Sequence, residues 1–174
     1  MKTSLRLFLS LFFAAACASS LRAADSDLEI HSAPLKLDST TTKSSEDGGA
    51  NHTKEHWVYQ LTIENKSFHD VAGLQVKYVI LYTYEKLGDN VGALPKRKTG
   101  SFPIPALKSR EKLTFKTDAL ELNKSNLVGN YIYPNGARPN AQDKLVGVVL
   151  HVEQNGKIFA QFANPSSLSK EPVE

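Results

Sequence analysis

The chain has 174 residues, with 21 Lys+Arg, 18 Asp+Glu and one cysteine. Three of the basic residues, Lys2, Arg6 and Arg22, sit in an N-terminal stretch with the marks of an export signal, so the remainder balances at 18 to 18. A neutral chain offers no electrostatic case for binding nucleic acid or an anionic membrane surface, and no later apolar run is long enough for a transmembrane helix.

The first 24 residues read as a signal peptide. Lys2 and Arg6 precede the apolar run L-F-L-S-L-F-F-A-A-A, and small residues follow up to Ala23-Ala24. Such a segment directs export and is then removed. Cys17 lies inside it. One reading is a small apolar residue lost with the peptide. The other is a lipidated first residue, since Ala14-Ala15-Ala16-Cys17 resembles a bacterial lipobox without its leucine. After ordinary cleavage the mature chain has no cysteine, and its stability must come from an apolar core rather than disulfides. About 150 residues suit one domain. The expectation is a β-domain over 25–163 and a loose C-terminal tail over 164–174.

The strand pattern begins at 27–37, where Leu28/Ile30 and Leu35/Leu37 alternate around Pro34. Proline cannot donate to a ladder, so this predicts an edge strand broken at 33–34. The polar, Ser/Thr/Gly-rich stretch 38–56 predicts a flexible loop. Two long strands follow within 57–84. Trp57, Tyr59, Leu61 and Ile63 alternate in the first, and Leu74, Val76, Tyr78, Ile80, Tyr82 and Tyr84 in the second. A period of two puts one apolar row on one face. Phe68 and Val71 are expected to tuck under the connection between them.

Residues 85–98 form a turn-rich excursion, and 99–104 a short strand bounded by prolines. Leu113, Phe115 and Thr117 mark another strand, 118–127 a short helical turn, and 126–143 a long loop. Val146, Val148, Leu150 and Val152 alternate, and Asn155-Gly156 is a two-residue hairpin signal leading to Ile158, Ala160 and Phe162. The sum is an all-β, antiparallel sandwich of about seven strands. Val79, Leu81 and Val149 add apolar residues on the outer face. The polar loop, the 118–143 segment or another subunit should cover them, with a cover from within the chain preferred.

This arrangement resembles an immunoglobulin-like or fibronectin type III-like sandwich. Ile63-Glu64-Asn65-Lys66-Ser67, Leu74-Gln75-Val76-Lys77-Tyr78 and Leu81-Tyr82 resemble the "V-x-N-x-S … V-x-V-x-x-x-L-Y-D" run of FxLYD-type domains of bacterial envelope proteins. Ile104-Pro105-Ala106-Leu107 with Leu113-Thr114-Phe115 resembles their later "L-x-P-G-E-x-x-x-F" element. Thr83 stands in place of the aspartate, and Lys108-Ser109-Arg110-Glu111 in place of Pro-Gly-Glu. The resemblance spans 57–117. It implies an exported envelope sandwich and no shared catalytic residues. The sequons at Asn51, Asn65 and Asn123 matter only in a host that glycosylates.

Motifs for chemistry are sparse. His52-Thr53-Lys54-Glu55-His56 fits H-x-x-E-H, a zinc pattern that needs both histidines on one helix face. With Gly48-Gly49 before it and the Trp57 strand after it, there is no room for that helix, so His52, Glu55 and His56 stand only as weak metal candidates. His31, His69 and His151 are isolated, and His151 is expected to point away from the core. The chain has no G-x-S-x-G elbow, and Glu46-Asp47 falls in the polar loop. Lys96-Arg97-Lys98 reads as a solvated run. No motif implies a cofactor or catalysis. The loop containing Tyr131, Tyr133, Asn135 and Arg138 carries residue types found at binding surfaces, and long loops often bind. The alternative is that its tyrosines simply close one end of the sandwich. Three functions follow: an exported protein that binds a protein partner or supports an envelope assembly; a carbohydrate-binding module using Tyr131, Tyr133 and a nearby edge tyrosine such as Tyr84; and a small secreted hydrolase.

Overall fold

The computed structural model describes residues 27–44, 49–129 and 133–173. The signal segment 1–24, with Cys17, lies outside them, as do Glu46, Asp47 and Tyr131. Among the described residues the chain is all-β, with nine strands rather than seven. They are β1 (Leu28–Ser44), β2 (Ala50–Asn65), β3 (Val71–Tyr84), β4 (Leu94–Leu107), β5 (Lys112–Lys116), β6 (Leu120–Leu127), β7 (Asn140–Gln142), β8 (Lys144–Gln154) and β9 (Lys157–Asn164).

They form two antiparallel sheets. The first has the order β1-β2-β6-β7, with β5 also paired to β2; the second is β4-β3-β8-β9. On its side away from β1, strand β2 pairs first with β6, over 50–57, and then with β5, over 60–64. The two strands expected within 57–84 therefore lie in different sheets and face each other. Their odd and even apolar rows meet in one core. Leu61, Ile63, Val76, Ile80, Val148, Leu150 and Val152 are each at most 1% exposed there. The prolines Pro34, Pro103 and Pro105 lie on β1 and β4, which are edge strands where a missing N–H costs least.

Several expectations need correction. The described parts of 38–56 form a ladder and not a flexible loop: Asp38 to Ser44 pair with Ala50 to His56, after a bulge between Lys36 and Asp38. Its β1 side is almost wholly exposed and its β2 side mostly part-buried, with no large apolar side chain on either, so no apolar period announces it, but threonine fits a strand well. The 33–34 break is absent, because β1 runs through Pro34. The supposed helical turn in 118–127 is β6. Phe68 is 81% exposed, and the Arg110 guanidinium lies over its ring at 4.3 Å. Val146 is also exposed. The ladder shifts register there, so Leu81 pairs with Gly147 and Tyr82 with Leu145.

The C-terminal segment is not loose either. After β9 a single 3-10 turn, Ser166–Leu168, starts a return across the outer face of the second sheet. Val79, Leu81 and Val149 form a second small core with Val173, and Leu168 packs against it. The cover does come from within the chain, but from the tail rather than from 38–56 or 118–143.

Buried polar residues fix the three places where the chain crosses between sheets. At the first crossing, after β2, Asn65 is fully buried. Its Nδ2 donates toward the carbonyls of His69 at 2.8 Å, Leu107 at 3.2 Å and Lys108 at 3.1 Å. Its Oδ1 accepts the Ser67 N–H at 3.0 Å, and its own N–H donates to Glu111. One side chain thus ties the β2–β3 crossing to the β4–β5 crossing. At the third crossing, Asp143 accepts N–H groups from Glu85, just past β3 of the second sheet, and Asn123 of the first, each at 2.9 Å. Between these ends the buried Tyr78 hydroxyl donates to Asp118 and accepts the Asp118 N–H. Desolvation pushes the Tyr78 phenol upward from its usual range.

Candidate functional site

The Asp143 crossing sets the geometry of one end of the sandwich. There the segment after β3 (85–93) meets the segment before β7 (133–139). Asn135 Nδ2 donates to the Gly88 carbonyl at 3.1 Å, and Asn90 Nδ2 to the Asn135 carbonyl at 2.7 Å. Asn135 Oδ1 accepts the Ala137 N–H, and the Gly136 N–H closes a turn onto the Tyr133 carbonyl. Glu85 Oε2 accepts the Gln142 N–H at 3.1 Å. Gly88, at φ +79°, lies under Tyr133: a Cβ there would stand 3.1 Å from its Cε1. Glycine is the residue that tolerates both the left-handed backbone and the approaching ring.

Two clefts flank this junction, and Glu85 lines both. One, of about 470 Å³, is polar and of mixed charge, with Asp89, Arg138 and Lys144 on its walls. The other, of about 490 Å³, lies between Tyr84 and Tyr133, with His52, Lys86, Leu87, Asn123 and Ser125 completing it. His52 Nδ1 lies 2.9 Å from Ser125 Oγ. The Lys96 ammonium stands 6.0 Å from the Tyr84 ring centroid.

Of the residues singled out from the sequence, Tyr133 and Arg138 are on the walls of these clefts, in different ones. Asn135 lines the Arg138 cleft but also spends its amide holding the two segments together. Tyr84 and Tyr133 line the same cleft. Glu85, Lys86, Asn123 and Ser125 were missed. Nothing local marks them; they converge only because β3 ends beside β6.

The three weak metal candidates are separated by the strand itself. His52 and His56 are four residues apart on β2, about 13 Å at strand rise. Glu55 points to the opposite face, where it accepts from Lys36 at 2.7 Å and from Trp57 Nε1 at 2.9 Å. Those bonds, Lys36 first, hold its carboxyl below the ordinary range. His56 instead lies 2.7 Å from Asp38. Among the described residues no three His, Cys, Asp or Glu side chains gather to hold a metal ion, and no helix is long and apolar enough to cross a membrane.

No known protein family matches the chain, and no curated protein does. Among solved structures it is similar to a crystal structure from Akkermansia muciniphila, with 12% identity, 82% of this chain and 74% of that chain covered, and a TM-score of 0.24. Likeness at that level carries no argument about function.

Proposed function

We propose that this chain is an exported, non-catalytic sandwich protein that binds a carbohydrate between Tyr84 and Tyr133. The observation that carries the reading is the cleft itself. Two tyrosines, an imidazole, an amide, a hydroxyl, a carboxylate and an ammonium share one concavity. Ring faces accept the C–H side of a sugar, and the polar groups pair with its hydroxyls. Export rests on the signal-like residues 1–24. An immunoglobulin-like or fibronectin type III-like build is supported by the β4-β3-β8-β9 sheet facing β1-β2-β5/β6. The FxLYD-type envelope resemblance gains support from Asn65 and Ser67. These two positions of its motif make the hydrogen bonds that hold the first crossing.

A second reading has a protein partner or envelope assembly docking on the same end. Val91 and Leu94, 68% and 42% exposed, favour it, since they flank the Gly92-Ala93 wall of the Arg138 cleft. A glycan array with the wild type and the Tyr84→Ala/Tyr133→Ala variant separates the two. The carbohydrate reading expects binding that falls at least about tenfold in the variant, the loss of roughly 1.4 kcal/mol. A silent array, together with envelope-protein capture that Val91→Asp abolishes, would replace it with the second reading.

A further inference from the structure

The two clefts beside the Asp143 crossing are parts of one groove. A third hollow, of about 470 Å³ and lined by Gly88, joins them. It shares Lys86 and Tyr133 with the aromatic cleft, and Asp89, Asn90 and Asn135 with the Arg138 cleft. Each hollow alone has the size of a small-ligand site. Three in a row suit an oligomer better than a single ring. The walls change character along the row. Tyrosines line one end. At the other, Thr83 stands opposite Lys144 across the β3–β8 ladder, and Gly92 and Gly136 have open space where a Cβ would project.

The charges of this groove are not matched to one another. Its carboxylates are already engaged by the backbone. Glu85 Oε2 accepts the Gln142 N–H, and Asp89 Oδ1 accepts the Val91 N–H at 3.0 Å. The nearby Asp143 is buried and holds the N–H groups of Glu85 and Asn123. The cations have no such partners. Among the described residues, Lys86, Arg138 and Lys144 make no ion pair and no side-chain hydrogen bond. Lys96, beside the Tyr84 ring, makes no ion pair either. On the strand faces, by contrast, Lys36 meets Glu55 at 2.7 Å, Lys54 meets Glu121 at 3.2 Å and Lys77 meets Glu153 at 2.8 Å. A neutral sugar needs hydroxyl partners but no free cation. An unpaired arginine and an unpaired lysine in one cleft fit a carboxylate or a sulfate, which a guanidinium meets with two parallel N–H donors.

We propose that the groove takes an acidic oligosaccharide, with a sugar ring between Tyr84 and Tyr133 and the carboxylate or sulfate of a further unit against Arg138 and Lys144. This rests on the carbohydrate reading above and adds the charge of the ligand and its direction in the groove. The test is a glycan array that sets each acidic oligosaccharide beside a neutral counterpart of the same backbone: uronates beside their methyl esters, and sulfated chains beside desulfated ones. The wild type should bind acidic members at least about tenfold more tightly than their counterparts. The type of pair that differs tells carboxylate from sulfate. Arg138→Gln/Lys144→Gln, at two exposed positions, should erase the difference and keep the neutral signal, whereas Tyr84→Ala/Tyr133→Ala should lower both. Equal binding of acidic and neutral counterparts by the wild type overturns the proposal and leaves the carbohydrate reading standing. A preference that survives the glutamine pair does the same. A silent array overturns both. The wild-type comparison needs no variant, so the proposal stays refutable even where a variant fails to fold.

Discussion

Asn65→Ala tests whether the first crossing is held by one amide. The substitution leaves the Ser67 N–H and the Leu107 carbonyl buried without their partner, in a site that is fully closed. Each such group costs about 1–3 kcal/mol, so the variant should lose about 2–6 kcal/mol. Against a total of about 5–15 kcal/mol for a domain, that is a large fraction. At about 2–4 °C per kcal/mol, the melting temperature should fall by about 4–24 °C. Asn65→Asp is the sharper probe. It keeps the shape but points a carboxylate at three carbonyl oxygens. Its folded-state pKa must rise above the unfolded value of about 3.9, because the protonated acid alone can donate. A raised carboxyl pKa means that stability is greatest below the unfolded pKa and is lost as pH rises through the folded one. The Asp variant should therefore be less stable than the Ala variant at about pH 7 and recover toward about pH 4, relative to wild type. Urea unfolding followed by circular dichroism measures both. Equal losses in the two variants at every pH, or a loss below about 1 kcal/mol, would refute the assignment.

Gly100 faces the Tyr78 hydroxyl so closely that a Cβ would overlap it. Gly100→Ala should cost about 1–3 kcal/mol, and Tyr78→Phe in the same chain should recover part of this by removing the colliding oxygen; additive losses in a double-mutant cycle would count against the contact. His151 is part-buried beside the Lys77–Glu153 ion pair, and desolvation holds its pKa below the ordinary imidazole value. Its contribution is then present above the unfolded pKa of about 6.5 and is lost as pH falls through the folded one, a loss that His151→Gln should remove. An NMR titration of His151 at or above the free-histidine value would contradict this. Gly147→Ala should expel the tail, since a Cβ meets Leu168 and Pro165 of the tail and the Asn164 carbonyl at its root; trypsin should then cut at Lys170 several-fold faster, and an unchanged rate would deny that Gly147 seats it.

Much of the core could be read from period-two patterns, because burial on one face imposes them. Leu61, Ile63, Val76, Tyr78, Ile80, Val148, Leu150 and Val152 were all expected inside, and all are buried. The turn at Asn155-Gly156 was equally plain, with φ of +51° and +75°. What escaped was structure made by backbone pairing alone. The outer part of the β1–β2 ladder carries no large apolar side chain, so its sequence has no apolar rhythm to find. The tail escaped because its anchors, Leu168 and Val173, are five residues apart among polar neighbours. Their receptor was visible as surplus apolar residues at Val79, Leu81 and Val149, but nothing local says which segment fills it. At the candidate site, tyrosines could be picked out by type. The partnership of Tyr84 with Tyr133 depends on where β3 ends relative to β6.

Asn65 also bears on how the protein is produced. Asn65-Lys66-Ser67 is an acceptor sequon, and glycosylation attaches to the nitrogen that here donates to three carbonyls inside a closed site. Sugar added to the nascent chain in a eukaryotic secretory pathway would block that nitrogen and cannot fit where it must lie. Molecules modified at Asn65 should stay unfolded and be retained, while those modified only at Asn51 or Asn123 keep this crossing intact. A host that does not glycosylate avoids this loss; in one that does, Ser67→Ala would remove the acceptor but also the hydroxyl that lies 2.7 Å from Asn65 Oδ1.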